Sequence, residues 1–236
     1  MGEHFFSVIF YSFYIFEGNY IDFQITLESY GEATNSNDFL FNGEKQINLH
    51  IDGGREIARL IHNYSAAWLS LVDHSRRVNE KLKENTLDEI QNFATEYEDR
   101  LSSQLKDTFE NTFVKDLRRY VQHKKVPVPI LQFKMVRIDN LLSETGKSVF
   151  KGGFSFEFNS QDIEDFNWTS NVKEYIKNNR TIPIGEIIDK HFSVMKDFYL
   201  WIQFRDHQLH PYAPDELRKT TFDVWKQEIM RNSQPQ

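Results

Sequence analysis

The sequence predicts a mainly α protein of the α+β class, an antiparallel helical bundle with an inserted β-hairpin and an N-terminal β element. Two long stretches with apolar residues every three or four positions predict the helices of the bundle. Two shorter runs rich in β-branched and aromatic residues predict the hairpin, at about 130–158. The chain is therefore expected to divide into a β element and loop over residues 1–50 and a helical domain over 51–236.

Composition restricts both the class of protein and the kinds of site. A chain of 236 residues can bury a sizeable core, and 15% aromatic residues is too many for a disordered chain. The chain has no Cys, which excludes disulfides, thiolate metal sites and cysteine nucleophiles and suits a reducing compartment, so a cytoplasmic protein is expected. The formal net charge of −7 argues against broad binding to nucleic acid, but it leaves room for a local cationic site.

The N-terminal segment 4–16 is almost wholly apolar. It has no basic leader and no small-residue cleavage site, and 13 residues are too few to cross a bilayer as a helix, so no membrane partner is expected. Its aromatic and β-branched content favours a buried strand that turns at Gly18-Asn19 into a second strand over 20–27. A segment that binds a membrane surface or a partner is the alternative. Residues 31–47, rich in Gly, Asn, Ser and Glu, predict a loop.

Two long helices follow. The first begins after Asp52-Gly53-Gly54, and the second begins at Thr86, where Glu89 completes a capping-box pattern. The second continues without Gly or Pro and ends near His123, because Pro127 and Pro129 forbid continuation. Such long amphipathic helices are expected to pack antiparallel. Their apolar stripes are Ile57, Ile61, Tyr64, Trp68, Leu71, Val78 and Leu82 in the first, and Ile90, Phe93, Tyr97, Leu101, Leu105, Phe109, Phe113, Leu117 and Val121 in the second.

Two β-strands are predicted next, over residues 130–138 and 148–158. In the second, phenylalanines alternate with polar residues, the period of a half-buried strand. Thr145-Gly146-Lys147-Ser148 is similar to the end of a phosphate-binding loop, but Leu141 stands where that motif requires glycine. A hairpin turn is therefore expected between the strands.

The remaining sequence predicts helices. They cover about 162–178, 184–205 and 215–230, and Pro183 starts the second. Residues 231–236 are expected to be a frayed end.

Basic residues are concentrated at the end of the second long helix. Arg118, Arg119, His123, Lys124 and Lys125 lie within eight residues of an otherwise acidic chain. One interpretation is structural: cations at a helix C-terminus favour the negative end of the helix dipole and cap its last carbonyls. The other is a phosphate site, because an arginine fork binds phosphate oxygens in bidentate fashion and an imidazole transfers protons near neutral pH. Asp116 is expected on the solvated surface, and orientation of a cation in the cleft is its alternative.

The pattern of Arg118, four residues and His123, with Tyr120 between them and a proline-containing exit, resembles the HEPN family. Members of that family carry an Arg, usually a polar residue after it, and a His four to six residues further on. The resemblance extends over about residues 52–205. Where the family commonly has Asn, Asp or His, this chain has Arg119, which can hold a phosphate but accepts no hydrogen bond.

The resemblance implies a metal-independent endoribonuclease without a cofactor, in which a ribose 2′-hydroxyl attacks the adjacent phosphate. Arg118 and His123 would be catalytic, and the RNA-binding residues would be Arg119, Tyr120, Lys124 and Lys125. Tyr120 would stack on a base, with a core position as its alternative, and a solvated loop is the alternative for the two lysines. One His cannot be both base and acid in an in-line displacement, so the family's homodimer with a composite active site is expected.

Other functions stay open. A ribonuclease of this kind would be a toxin or defence effector under an antitoxin or another regulatory protein. The alternatives are a non-catalytic HEPN-like module that binds RNA, a nucleotide or a partner protein, and a helical interaction protein. Arg205 and His210 repeat the spacing with Asp206 after the Arg and form a competing site, although a helix cap also explains them. The other histidines show no metal-ligand spacing, so no metal site is expected.

Overall fold

The computed structural model describes residues 5–34, 39, 42–142 and 148–232. This part of the chain is mainly helical with a three-stranded antiparallel sheet in the order β1-β2-β3, which confirms the predicted mainly α class. The elements in chain order are α1 (Phe5–Thr34), α2 (Gly43–Asn48), a π-helical segment (Leu49–Gly53), α3 (Gly54–Lys83), α4 (Asp88–Gln104), α5 (Phe109–His123), β1 (Ile130–Leu142), β2 (Ser148–Asn159), α6 (Ser160–Ile163), α7 (Ser170–Asn178), β3 (Thr181–Pro183), α8 (Ile184–Leu209), α9 (Asp215–Lys219) and α10 (Phe222–Asn232).

The predicted N-terminal β element is wrong, because Phe5–Thr34 form the single helix α1. Ile9, Phe16 and Phe23, seven positions apart, are at most 2% exposed and join the same hydrophobic core as α3 and α8. The buried residues of α1 therefore follow a helical period. This period was not recognised in the sequence because the positions between them are also apolar. No helix in the described ranges has the length and apolar character needed to cross a membrane.

Helices α3 and α8 form the centre of the fold. The seven stripe residues predicted for α3 are all buried. Both helices contact α1, α4 and α5, and their side chains meet through two buried hydrogen bonds. The Tyr64 hydroxyl lies 2.6 Å from Nδ1 of His191, and the Ser75 hydroxyl lies 2.7 Å from the hydroxyl of Tyr199. A polar pairing thus fixes the register of two helices that are otherwise held by apolar packing.

The second predicted long helix is two helices, α4 and α5. Leu105 is buried, and its φ of −120° and ψ of −50° take it out of the helical range. Thr108 precedes α5 in extended conformation, and its hydroxyl donates to the carbonyl of Leu105. Burial of Leu105 at the break shows that core packing outweighs the continuous helical propensity of this stretch. The predicted cap at Thr86 is also wrong, since the side chain of Asn85 accepts the hydrogen bond from the N–H of Leu87.

The predicted β-hairpin is confirmed. Ile130 of β1 lies opposite Glu157 of β2, and Phe133 lies opposite Phe154. The turn expected at 145–148 lies, except for Ser148, outside the described residues. Of the later helices, the one expected over 162–178 is divided into α6 and α7, α8 extends the predicted helix to Leu209, and α9 and α10 replace the last one.

A π-helical segment joins α2 to α3 without a break, and π turns carry one residue more than α turns. At its end, a Cβ on Gly54 would lie 2.9 Å from the carbonyl oxygen of Pro129. Only glycine therefore allows the chain entering β1 to pass this close. Within the segment, Nδ1 of His50 accepts a hydrogen bond of 3.3 Å from the N–H of Leu131, on the edge of β1 that β2 does not occupy.

Candidate functional site

Helix α5 carries the predicted basic residues to one end of the bundle. Lys124 leaves the helical range, with φ of −120° and ψ of −79°, so the helix ends at His123 as predicted. The N–H of Lys124 still donates to the carbonyl of Tyr120 at 2.9 Å. From there the chain runs through Pro127 and Pro129 into β1 without regular secondary structure.

Arg118 and His123 do not face the same side of α5. Both belong to the continuous helix, and five helical positions correspond to about 140° around the axis and about 7.5 Å along it. His123 is exposed, whereas Arg118 is half-buried, and its Nε is buried with no hydrogen-bond partner among the described residues. The helix therefore does not, by itself, bring the two predicted catalytic side chains to one point.

The arginine that α5 places beside His123 is Arg119. Residues four apart on a helix are neighbours with Cβ atoms about 6 Å apart, and Lys115 continues the same line one turn earlier. All three side chains are exposed, as are Lys124 and Lys125. We call Lys115, Arg119, His123, Lys124 and Lys125 the cationic stripe. Lys115 was not a predicted site residue, although its position four before Arg119 was a signal for it.

Buried Asp116 holds Arg119 in place. One carboxylate oxygen accepts from Nη1 of Arg119 at 2.9 Å, and the other accepts from the N–H of Thr169 at 2.6 Å. The guanidinium also lies 5.7 Å from the ring centre of Phe166. The expected surface position of Asp116 is thus wrong, since its side chain is 1% exposed while that of Arg119 is 44% exposed. Arg119 is an oriented donor that loses little conformational entropy when it binds an anion.

Tyr120 lies beneath the site and not on its surface. It is 0% exposed, its ring is stacked on Trp168 at 5.5 Å between centres, and the edge of Phe166 covers it at 5.2 Å. Its hydroxyl donates to the carbonyl of Asp162 at 3.0 Å, and burial raises the pKa of Tyr120. The prediction that Tyr120 stacks on a base is therefore wrong, and its alternative as a core residue is correct.

The two lysines after α5 reach the surface beside an acidic loop. Nζ of Lys124 lies 3.1 Å from a carboxylate oxygen of Asp165, and the two side chains are 45% and 72% exposed. Exposed pairs of this kind contribute little to stability, so Lys124 can exchange Asp165 for another anion. Asp162 of α6 and Glu164, which follows that helix, are also exposed and lower the positive potential there.

The competing pair, Arg205 and His210, is held by structural contacts. Nε of Arg205 lies 2.9 Å from a carboxylate oxygen of Glu96, and Nη1 donates to the side chain of Gln208 at 2.6 Å. His210 ends α8, and its carbonyl accepts from Nη2 of Arg218 at 3.1 Å. These contacts link α8 to α4 and to α9, which favours a structural explanation for the pair.

The described residues offer a phosphate-binding arrangement on α5 and no cluster of three His, Asp or Glu side chains that suits a metal ion. Arg119 and His123 are exposed side by side, Asp116 fixes the arginine, and Tyr120 supports the helix from inside. Comparisons of this chain with models of protein families, with curated proteins and with solved structures each return no match.

Proposed function

We propose that the cationic stripe binds the phosphodiester backbone of RNA and that the chain is a non-catalytic HEPN-like RNA-binding module. The observation that carries the proposal is the alignment of Lys115, Arg119 and His123 on one exposed side of α5. A guanidinium held by Asp116 can grip a phosphate in bidentate fashion. Lys124 and Lys125 extend the contact along the backbone as point charges.

The orientation of Arg118 favours binding over cleavage in a single chain. General acid–base cleavage needs the imidazole and the stabilising guanidinium to reach the same phosphate. About 140° of helical rotation separates Arg118 from His123, which does not supply that arrangement. Binding needs only the donors of the cationic stripe.

The proposal predicts salt-dependent binding of single-stranded RNA that depends on this stripe. The double variant Lys115→Ala/Lys125→Ala is expected to weaken binding about tenfold and to reduce the slope of log affinity against log salt by about 1 to 2, one per lost phosphate contact. Fluorescence anisotropy of a labelled RNA over a salt series measures both quantities. Arg119→Gln is expected to weaken binding about tenfold as well, through loss of a charge-assisted bidentate contact.

Arg76→Ala/Arg55→Ala is the matched control for the double variant. It removes two exposed cations of α3, which pair with Asp73 and Asp52. The net charge change is the same, so this control is expected to bind RNA like the wild type. Equal losses in both double variants would show diffuse electrostatic attraction and would contradict a site on α5.

Endoribonuclease activity is the second candidate function, favoured by the exposed imidazole of His123 one turn from Arg119. In this arrangement Arg119 contacts the reacting phosphate, and a second copy of the chain supplies the other proton-transfer group. Cleavage would make a toxin or defence effector controlled by an antitoxin or another regulatory protein.

Total RNA incubated with the protein and excess chelator tests the nuclease. If the chain cleaves RNA, His123→Ala and Arg119→Gln are expected to lower the rate at least a hundredfold, a typical contribution of a general acid or base. Arg118→Ala, Arg205→Ala and His210→Ala are expected to keep most of the activity. If the wild-type protein binds RNA but leaves it intact, the nuclease is contradicted and only the RNA-binding function is supported.

A further inference from the structure

Helix α1 is apolar on its outer face as well as on the face that packs in the core. At 100° per residue, the outer apolar side chains and Gly18 span an arc of about 140° opposite Ile9, Phe16 and Phe23. We call this arc the outer face of α1. Its apolar side chains are Val8 (45% exposed), Tyr11 (73%), Tyr14 (74%), Ile15 (58%), Ile21 (46%) and Ile25 (59%). The exposed Asp22 lies within the same arc. A largely apolar surface of this size marks an interaction site, whereas single exposed apolar residues are ordinary.

Gly18 lies at the centre of the outer face. Glycine inside a helix destabilises it by comparison with alanine, and nothing lies within 4 Å of the position that a Cβ would occupy. No contact within the described part of the chain therefore requires glycine here. A second helix that crossed α1 at this point would require glycine, because a missing side chain lets two helix axes approach more closely than usual.

The outer face is apolar in both directions from Gly18 at three and at seven positions, whereas the counterpart of Tyr14 is Asp22 and that of Val8 is Glu28. Isoleucines stand three positions away on each side, Ile15 and Ile21, and seven positions away are the large apolar residues Tyr11 and Ile25. In an antiparallel pair of identical helices that cross at Gly18, each residue meets the one at the same distance on the other side. Ile15 then packs on the partner's Ile21, and Tyr11 packs on the partner's Ile25. Tyr14 meets the partner's Asp22 and can donate its hydroxyl to that carboxylate.

We infer that a second copy of this chain covers the outer face of α1, with the two helices antiparallel about a two-fold axis at Gly18. The six apolar side chains expose roughly 650 Å² per copy, so the pair buries at most about 1,300 Å², which reaches the lower end of the range of stable interfaces. No Lys or Arg occurs over residues 5–34, while Glu17, Asp22, Glu28 and Glu32 do. That charge opposes adsorption to an anionic membrane surface, which basic residues normally promote.

This dimer does not depend on the proposed RNA-binding function. The outer face of α1 and the cationic stripe are on different helices and share no residue. A substitution that abolishes dimerisation is therefore expected to leave the cationic stripe intact, and a substitution in the stripe is expected to leave the dimer intact. Each proposal can be contradicted without the other.

Sedimentation equilibrium over a micromolar concentration series tests the interface. The wild type is expected to be a dimer, and Ile15→Lys or Ile21→Glu alone is expected to raise the dissociation constant at least about a hundredfold, since each buries unpaired charges. The double variant Ile15→Lys/Ile21→Glu is expected to recover the dimer, because each new Lys then faces the partner's new Glu. Gly18→Leu is expected to be a folded monomer, since its side chain has room within one chain but not between two.

Val224→Glu is the control, because Val224 of α10 is 49% exposed and lies outside α1. It is expected to leave the dimer unchanged. A wild-type monomer throughout the series, or Ile15→Lys and Ile21→Glu dimers as stable as the wild type, would overturn the inference. Failure of the double variant to recover the dimer would overturn the antiparallel register. Binding of monomers to phosphatidylcholine vesicles through this face would assign it to lipid and would also overturn the inference.

Discussion

Lowering the pH from 7 to 4.5 is expected to reduce the free energy of unfolding by about 3 kcal/mol through His191 alone. The imidazole is 1% exposed, its Nδ1 shares a hydrogen bond with the hydroxyl of Tyr64, and the rings of Phe16 and Trp68 pack against it. Burial lowers the pKa of His191 to about 3. In the unfolded chain a histidine titrates at about 6.5, so between these values the unfolded state binds one more proton than the folded state. The stabilisation is complete above pH 6.5 and is lost by about 1.4 kcal/mol per unit as the pH falls towards 3.

Urea denaturation at several pH values between 7 and 4.5 measures this dependence. The comparison is the double variant Tyr64→Phe/His191→Phe, which removes both hydrogen-bonding partners together and keeps two aromatic rings in the core. The free energy of unfolding of this variant is expected to lack the pH dependence that corresponds to the uptake of one proton. Burial raises the pKa of the Asp189 and Asp206 carboxyls, which favours the folded state as the pH falls, and these groups are present in both proteins. The same pH dependence in both would contradict the assignment to His191.

Replacing Asp116 by alanine is expected to reduce the free energy of unfolding by about 3 kcal/mol. The carboxylate is buried and bonds both the N–H of Thr169, just before α7, and the guanidinium of Arg119. Its removal takes away the partner of the Thr169 N–H and releases the arginine, and a hydrogen bond to a charged group contributes about 1.5 to 3 kcal/mol. Thermal and urea unfolding measure the change, and RNA anisotropy on the folded fraction is expected to show weaker binding because Arg119 loses its orientation.

Asp116→Asn separates the two contacts. The amide oxygen can still accept from Thr169, but the amide nitrogen cannot pair with Arg119, so a smaller loss of stability is expected. Asp73→Ala is the surface control, since its pair with Arg76 is exposed and is expected to be worth less than about 1 kcal/mol. A change of under about 1 kcal/mol in Asp116→Ala would show that α5 and α7 are held together by apolar packing alone.

The contrast between α3 and α1 shows what the sequence can reveal about this fold. The apolar residues of α3 alternate with polar ones at a helical spacing, so its buried stripe was predictable. In α1 the outer face is nearly as apolar as the inner one, and aromatic and β-branched residues fill both. Without a polar face the helical period has no contrast, and composition then favours strands. The apolar outer face that made the helical period hard to recognise is the face that we infer a second copy covers.

The candidate site was predictable in content and not in geometry. The concentration of basic residues before Pro127 marked the end of α5, and the helix does end at His123. Helical spacing up to His123 already indicates that Arg119 stands beside it, but the half-burial of Arg118 depends on how α5 packs in the fold. Asp116 was expected on the surface, and the alternative, that it orients a cation, agrees with its contact to Arg119. Its hydrogen-bond partner Thr169 lies 53 residues away in the chain, beyond the reach of any local pattern.

The π-helical segment between α2 and α3 contacts the free edge of the sheet through His50. The turn at Leu49–Gly53 accommodates one surplus residue. His50 lies within this turn, and its imidazole accepts the hydrogen bond from the N–H of Leu131. A deletion of one residue there would relax the turn to ordinary α geometry and change the position of His50, which lies within that turn. The edge of β1 would then present an unoccupied N–H to solvent, and such open edges invite strand-to-strand aggregation. The π-helical turn thus places a side chain over one backbone N–H of this edge strand.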